Sequence, residues 1–215
     1  MDKVIFVSGI GTGVGKSYAT GWLACRLRDN GCNVITQKLI QTGNDEFSED
    51  IDVHRQLMGM PYTEEDFNHT TAPIIFSYPA SPHLAAEIDG KEIDLTIADK
   101  STATLLEKYD TVLLEGAGGL MVPIKDFYLT IDFIAERKYP VALITNGILG
   151  SINHTILSIE ALQNREIPIK YIIYNQHFDE DDVICADTIK YIQRYVAQYV
   201  PEAEFLIMPS LKSDK

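Results

Sequence analysis

A glycine-rich segment near the amino terminus has the residue types and spacing of a phosphate-binding loop. Residues 9–17 read GIGTGVGKS, and they follow the apolar run 4–8 and precede a helical pattern. Glycines let successive backbone N–H groups converge on an anion, and the start of the next helix adds a positive dipole end. Lys16 can then neutralise the β- and γ-phosphates of a nucleotide while the Ser17 hydroxyl ligates Mg²⁺. Although five residues separate Gly9 from Gly15, one more than in a strict loop, the segment and its flanks predict nucleotide binding.

A second lysine, Lys38, stands where the apolar run 33–37 ends. Taken alone, this segment favours a solvent-exposed loop lysine. Ligands of wound α/β sheets lie at the carboxyl ends of the strands, where the glycine-rich loop also lies. Beside that loop, Lys38 is predicted to be a second cation over the transferred phosphoryl group.

Two carboxylates are the predicted Mg²⁺ ligands beside Ser17. Glu115 ends the apolar run 111–115 and precedes the small residues Gly-Ala-Gly-Gly, which let another group approach the backbone closely. A buried carboxylate is costly without a cation, and Mg²⁺ prefers oxygen ligands, although a buried structural glutamate is the alternative. Residues 44–52 carry five acids, most of them expected in a solvated loop or helix start. From these we choose Asp52, on a predicted helix that faces back toward the loop.

Further segments at predicted strand ends have binding chemistry of their own. Residues 145–154 open a helix, whose free N–H groups at residues 150–153 suit a carboxylate. Ordinary capping by Ser151 explains the same segment equally well. The Asn175 amide has the donor and acceptor needed to read an adenine edge, and Pro209 with Leu211 can sandwich the ring.

Apolar runs and helical patterns alternate along the chain. The strand candidates are residues 4–8, 33–37, 111–115, 141–145, 171–175 and 204–207, and the helix candidates are residues 17–30, 51–59, 95–108, 130–137, 151–164 and 181–199. Continuous Val/Ile/Leu runs joined by helices predict an α/β fold with a doubly wound, mostly parallel sheet and helices on both faces. We find no repeat or linker, and we predict one domain over residues 1–215, with residues 61–94 as a long excursion near the site.

Composition limits the partners of the chain. Hydrophobic residues make up 46% of it, and the net charge of −13 argues against nucleic acid or an anionic membrane as main partner. The first apolar run is too short for a signal peptide, and no run reaches transmembrane length. The three cysteines show no paired spacing. These features predict a cytoplasmic protein with reduced thiols.

Taken together, these motifs resemble the dethiobiotin synthetase family, a P-loop NTPase family, over nearly the whole chain. The matching segments are the glycine-rich loop, EGAGG at 115–119 with Val-Pro at 122–123, SPH at 81–83, LGSINH at 149–154, Asn175, and MPSL at 208–211. The EGAGG segment is the most diagnostic of them. The resemblance implies ATP-dependent ring closure on 7,8-diaminononanoate with CO2 or bicarbonate. One amine becomes a carbamate, the carbamate oxygen attacks the γ-phosphate, and the second amine closes a cyclic urea.

The resemblance also implies a role for each matching residue, with ATP and Mg²⁺ as cofactors. The catalytic residues are Lys16, Lys38 and Thr12. The nucleotide-binding residues are Gly11, Thr12, Gly13, Val14, Gly15, Lys16, Ser17, Tyr18, Glu115, Gly118, Asn175, Pro209 and Leu211. The metal ligands are Ser17, Asp52 and Glu115, and the substrate-binding residues are Lys38, Thr42, Ser81, Pro82, Gly118, Gly150, Ser151, Ile152 and Asn153. In this family the last four come from the partner subunit, so a homodimer is expected.

Two departures from the family pattern lie next to these residues. Leu39 replaces a proline that usually follows the lysine, and Gly13 stands where many members have an acid. Two other P-loop classes are the alternatives. A corrinoid amide synthetase needs a glutaminase module, and a partition-type ATPase usually carries a lysine where this chain has Ile10 and Gly11.

Overall fold

The computed structural model describes residues 2–211, and a six-stranded parallel sheet forms its centre. The strands of the chain are β1 (Val4–Gly9), β2 (Val34–Lys38), β3 (Gln41–Thr42), β4 (Ile75–Phe76), β5 (Thr111–Gly119), β6 (Pro123–Lys125), β7 (Tyr128–Leu129), β8 (Val141–Asn146), β9 (Ile169–Asn175) and β10 (Glu204–Met208). The helices are α1 (Lys16–Asp29), α2 (Glu49–Met58), α3 (Glu64–Phe67), α4 (Pro82–Asp89), α5 (Leu95–Leu105), α6 (Thr130–Arg137), α7 (Ser151–Gln163) and α8 (Asp182–Tyr199), with a 3₁₀ turn at Gln176–Phe178.

The central sheet has the strand order β10-β9-β8-β1-β5-β2. All of its neighbouring strands are parallel, so their carboxyl ends meet at one edge. In the sheet, β5 and β2 lie on one side of β1. The later strands β8, β9 and β10 lie on its other side. This confirms the predicted doubly wound sheet, and each of its six strands overlaps a predicted apolar run.

Helices cover both faces of this sheet because the side chains of each buried strand alternate between two cores. Along β1, Val4 and Phe6 belong to one hydrophobic cluster, while Ile5 and Val7 belong to the other. A strand that is covered on both faces is apolar at every position, which is why its sequence reads as a continuous run.

The segment 61–94, predicted as a long excursion, contains two short helices and one strand. Strand β4 pairs in parallel with β3, so that Gln41 lies opposite Ile75 and Thr42 opposite Phe76. The returning segment therefore packs beside the residues that follow Lys38. None of the described helices is long and apolar enough to cross a membrane.

Helix α2 begins two residues before the predicted start at residue 51. Ser48 is the N-cap, and its hydroxyl accepts a hydrogen bond from the Ile51 amide at 3.2 Å. Three acids, Glu49, Asp50 and Asp52, occupy the first turn, where the helix dipole favours negative charge.

Candidate active site

The carboxyl ends of the central strands open into a crevice of about 880 Å³. Predicted site residues that line it are Thr12, Gly13, Gly15, Lys16, Ser17, Tyr18, Lys38, Thr42, Glu115, Gly118, Asn175 and Leu211. Residues that line it without having been predicted are Ile40, Gln41, Asp50, Ala117, His177, Phe178 and Met208. Residues from five of the six central strand ends, or from the loops after them, thus meet in one place, as parallel topology requires.

The glycine-rich loop leads directly into α1. Gly15 is the N-cap with a φ of 83°, and a Cβ at this position would lie 2.3 Å from Nδ2 of Asn175. A side chain is therefore excluded both by the left-handed backbone and by the neighbouring amide. Lys16 opens the helix, and its Nζ donates to the Gly11 carbonyl at 3.1 Å. This geometry holds the ammonium over the loop, at the start of the helix.

Lys38 and Glu115 face each other across two neighbouring strands. They are register partners in β2 and β5, and Lys38 Nζ donates to Glu115 Oε1 at 2.8 Å. The same ammonium lies 2.5 Å from Oδ2 of Asp50, at the start of α2. Ser17 completes the group, because its hydroxyl lies 2.5 Å from Oδ1 of Asp50 and 3.2 Å from Oε1 of Glu115, with one hydrogen to donate.

The structure corrects the choice of Asp52 as the second acid of this group. Asp52 accepts a hydrogen bond from the Tyr62 hydroxyl at 2.9 Å on the protein surface, whereas Asp50 reaches Ser17 and Lys38. Residues two apart on a helix point in directions about 200° apart, so the two acids cannot share one side. The error arose because the predicted helix began too late to count Asp50 among its residues.

Burial and charge shift the pKa values of this group in opposite directions. Burial alone would raise the pKa of Glu115, but the Lys38 charge and a hydrogen bond from His54 hold it well below its usual range. For Lys38, burial acts to lower the pKa, but Glu115 and Asp50 together raise it. Burial lowers the pKa of Lys16, only partly opposed by Glu115. An anion bound beside Lys16 would therefore favour its charged form.

The donor set of this group fits Mg²⁺. Asp50, Glu115 and Ser17 offer two carboxylates and a hydroxyl, which are the oxygen ligands that a hard divalent cation takes. The Lys38 ammonium lies between the two carboxylates, so this part of the crevice already accommodates a positive charge.

The other end of the crevice is suited to an aromatic base. Asn175 donates from Nδ2 to the Val14 carbonyl at 3.1 Å and accepts from the His177 amide at 3.0 Å. These bonds tie the end of β9 to the glycine-rich loop, and they leave one amide N–H and one oxygen lone pair of Asn175 for a ligand. Phe178, next to His177, and Leu211 line this end, whereas Pro209 does not.

Six predicted substrate-binding residues lie outside this crevice lining. Ser81 is the N-cap of α4 and Pro82 its first residue, while Gly150, Ser151, Ile152 and Asn153 form the start of α7. The Ser151 amide already donates to the Ile148 carbonyl at 2.9 Å, so the free amides of this helix start are those of residues 152 and 153.

Two kinds of site residue escaped the prediction from sequence. Asp50 could have been found from its spacing, because it lies four residues before His54 and shares a helix face with it. His177 and Phe178 carry no comparable signal, because they belong to a short 3₁₀ turn whose position depends on where β9 ends.

Comparison with known proteins agrees with this geometry. A family model described as an AAA domain matches residues 3–203. The chain is 46% identical to the ATP-dependent dethiobiotin synthetase BioD 2 of Pasteurella multocida, over 97% of this chain and 98% of that protein. It is 49% identical to the Haemophilus ducreyi protein of the same name, over 97% and 99% of the two chains.

A third relative gives the same result. The ATP-dependent dethiobiotin synthetase BioD of Chlorobaculum tepidum is 46% identical over 92% of this chain and 82% of its own. Among solved structures, a GDP complex of the signal recognition particle receptor FtsY from Elizabethkingia anophelis covers 82% of this chain and 49% of its own. Its TM-score of 0.42 and identity of 16% are too low to support an argument. The resemblance seen in the motifs is thus confirmed by identity over whole chains, and this protein belongs to the ATP-dependent dethiobiotin synthetase family.

Proposed function

We propose that this chain is an ATP-dependent cyclo-ligase that closes 7,8-diaminononanoate with CO2 to dethiobiotin, in the synthesis of biotin. Its relatives with 46–49% identity carry this activity in their names. The observation that carries the proposal is the crevice in which Lys16 and Lys38 lie beside Asp50 and Glu115. Two cations beside a phosphate-binding loop suit a reaction that brings two anions together.

The reaction needs these cations because both reactants are negatively charged. One amine of the substrate takes up CO2 and releases a proton, giving a carbamate that the triphosphate repels. Lys16 stabilises the phosphates, and Lys38 stabilises the carbamate and the charge that develops on the transferred phosphoryl group. Thr12 and Thr42, which line the crevice, offer hydrogen bonds to phosphate and carbamate.

Phosphoryl transfer then activates the carbamate for ring closure. A carbamate oxygen attacks the γ-phosphorus, ADP leaves, and the second amine attacks the carbonyl carbon and expels phosphate. A bound Mg²⁺ would supply charge neutralisation for the phosphates. Ser17, Asp50 and Glu115 are the residues that would hold it.

The nucleotide base is proposed to occupy the far end of the crevice. Asn175 has one N–H and one lone pair left for a base edge, and Phe178, Met208 and Leu211 provide an apolar lining next to His177. Pro209 lies outside the described lining, so of the predicted pair only Leu211 is retained for base contact.

We also propose that the active form is a homodimer in which the start of α7 receives the substrate carboxylate from the neighbouring subunit. Ile148 and Leu149, just before this helix, are 50% and 85% exposed, which is costly for large apolar side chains unless another surface covers them. The buried Ser151 hydroxyl has no hydrogen-bond partner among residues 2–211, and a carboxylate would supply one.

We propose that residues 1–215 form one catalytic domain and that the protein is cytoplasmic. Strands from both ends of the chain, β1 and β10, belong to the same sheet, so no part of the sheet could be removed as a separate unit. ATP and the diamine are small molecules that diffuse into an open crevice.

The activity is tested by following ADP release and dethiobiotin formation together. We expect ADP release to need both 7,8-diaminononanoate and bicarbonate, with one dethiobiotin, seen by mass spectrometry, for each ADP. ADP release that is independent of both substrates, without dethiobiotin, would contradict the proposal.

The shared site is tested by subunit mixing. Asn153→Asp adds an acid to the start of α7, which the helix dipole tolerates but a substrate carboxylate does not. In mixtures of Lys16→Ala and Asn153→Asp chains, refolded together, mixed dimers would hold one site with neither change. We expect mixing to restore activity above that of either variant, and a monomer at all assay concentrations would contradict the shared site.

A further inference from the structure

We propose that His54 and Thr20 are positioning residues that fix the orientation of the Glu115 carboxylate, so that one of its oxygens faces the reacting groups. The inference rests on the proposed function, because it concerns the carboxylate that would bind the divalent cation there. Neither residue lines the crevice, so both would act through Glu115 rather than on the substrate.

The two oxygens of Glu115 have separate sets of partners. Oε2 accepts from His54 Nε2 at 2.8 Å and from Thr20 Oγ1 at 2.9 Å, deep in the protein, and the Thr20 hydroxyl also lies 2.9 Å from the Lys16 carbonyl. Oε1 accepts from Lys38 at 2.8 Å and Ser17 at 3.2 Å, toward the crevice. Because Oε2 is occupied by two donors that have no exit to solvent, the carboxylate cannot rotate without losing both bonds. Oε1 is thereby left as the oxygen that meets the cation.

His54 reaches Glu115 because α2 packs unusually close to α1. A Cβ at Gly21 of α1 would lie 2.9 Å from the Leu57 side chain and 3.3 Å from the His54 Cα. Gly21 directly follows Thr20, so the close contact brings the two donors to the same carboxylate oxygen. Asp50 and His54 lie four residues apart on α2, which places both on the side that faces Glu115.

The position of His54 is poorly explained by stability alone. The imidazole is fully buried, with 0% of its side chain exposed. Since a carboxylate can only accept, Nε2 carries a hydrogen. Nδ1 has no partner among residues 2–211, and a buried unpaired polar atom costs free energy. A leucine would fill the space without that cost, so the feature that favours histidine is its Nε2 donor.

The test compares His54→Leu, which removes the donor, with His54→Gln, whose amide nitrogen can replace Nε2. The measurement is Mn²⁺ affinity in the presence of ADP, by electron paramagnetic resonance, because it does not depend on turnover. Loss of a hydrogen bond to a metal ligand lowers metal affinity by about 10–100-fold. We expect His54→Leu to weaken Mn²⁺ binding by about tenfold or more, and His54→Gln to recover most of that affinity.

Thr20→Val is the second variant, because it keeps the shape of the side chain and the fold. Thr102→Val is its matched control, since Thr102 also donates a buried hydrogen bond, to Gln37 at 2.7 Å, but away from Glu115. We expect Thr20→Val to weaken Mn²⁺ binding and Thr102→Val to leave it unchanged. In turnover assays, His54→Leu and Thr20→Val should raise the Mg²⁺ concentration needed for half-maximal rate, with little effect on the KM for 7,8-diaminononanoate.

Unchanged Mn²⁺ affinity in folded Thr20→Val and His54→Leu would overturn the proposal. Equal losses in Thr20→Val and Thr102→Val would also overturn it, since they would reflect general destabilisation. Failure of the proposed function would look different, because the wild-type chain would then form no dethiobiotin whatever the Mn²⁺ affinities of the variants.

Discussion

Helix α2 contributes to two groups of buried charges that differ in whether they face the crevice. On one side of the helix, Arg55 forms two bonds to Asp66, at 2.8 and 2.7 Å, and a third to Thr36 at 2.8 Å. Asp66 also accepts from the Thr63 amide at 2.8 Å and the Thr71 hydroxyl at 2.7 Å. Both side chains are at most 2% exposed. This pair is sealed, and both oxygens of its carboxylate are used.

The second group, Lys38 with Asp50 and Glu115, is open on one side. The Asp50 side chain is 23% exposed, and all three residues line the crevice. Their mutual bonds can therefore be exchanged for bonds to a ligand without unfolding any element. The comparison teaches that burial of charge alone does not mark an active site. A group that is satisfied internally stabilises the fold, whereas one that faces a cavity with exchangeable partners is suited to bind and react.

The largest predicted effect is the loss of the lysine of the glycine-rich loop. Lys16→Ala should lower kcat by about three orders of magnitude, or about 4 kcal/mol, because it removes charge stabilisation of the transferred phosphoryl group. Since burial already lowers the pKa of Lys16, its removal should not decrease the free energy of unfolding. Steady-state kinetics and urea unfolding measure the two effects, with the exposed Lys91→Ala as control. Near-normal turnover of Lys16→Ala would indicate that the phosphates bind away from Lys16.

Disruption of the Arg55–Asp66 pair should lower the stability of the fold and leave turnover almost unchanged, the opposite of Lys16→Ala. Asp66→Asn leaves Arg55 buried without its counter-charge, so the free energy of unfolding should fall by about 3 kcal/mol at pH 7, with kcat of the folded protein little changed. The exposed Glu64→Gln is the control. A loss of turnover as large as that of Lys16→Ala would show that the two groups are not separate.

The Arg55–Asp66 pair should also make the free energy of unfolding depend on pH. Burial acts to raise the pKa of Asp66, but the hydrogen bonds and charge of Arg55 outweigh it and lower that pKa. A lowered pKa stabilises the fold above the ordinary aspartate pKa of about 3.9, and that stability is lost as pH falls toward the folded-state value. The difference in unfolding free energy between wild type and Asp66→Asn should thus be constant from about pH 5 to 8 and shrink below about pH 4. A difference that stays constant in acid would contradict the assignment.

A smaller effect distinguishes Asp50 from Asp52 in the first turn of α2. Asp50→Asn should lower kcat by about 100-fold, because the amide keeps the size of the side chain but removes its charge next to Ser17 and Lys38. Asp52→Asn should stay close to the wild-type rate. The two variants carry the same change two residues apart, so each is the control for the other. Equal rates, or a larger loss in Asp52→Asn, would contradict the assignment of Asp50 rather than Asp52 to the site.

The smallest predicted effect is on the surface bond of Asp52. Tyr62→Phe removes a hydroxyl that donates to Asp52 at 2.9 Å in an exposed position. An exposed hydrogen bond contributes about 0.5 kcal/mol, so the unfolding free energy should change by no more than that, with kcat unchanged. A clear loss of turnover would show that this surface contributes to catalysis, which would contradict the separation of Asp52 from the site.

The sequence was sufficient for the sheet and for placing Lys38 and Glu115 at its carboxyl edge. Buried parallel strands are continuous apolar runs, and the residue at the end of each run must lie at the common edge. The same reasoning failed for Asp52, because it depends on where α2 begins. A two-residue error in a helix start rotates the chosen face by about 200°.

Other features could not be derived from local pattern at all. The pairing of Arg55 with Asp66 depends on how residues 61–94 return to the body of the protein, and these residues show only weak periodicity. The contact of His54 with Glu115 depends on the distance between α1 and α2, which Gly21 sets from a different part of the chain. Such contacts are determined by tertiary packing, so local propensity carries little information about them.

The central claim is that the triphosphate and the carbamate meet between Lys16, Lys38 and the two acids. The most direct test is a crystal structure with a non-hydrolysable ATP analogue, Mg²⁺ and 7,8-diaminononanoate. We predict that the γ-phosphate lies between Lys16 and Lys38, with the metal ion held by Ser17, Asp50 and Glu115. A triphosphate bound outside this crevice would contradict the account.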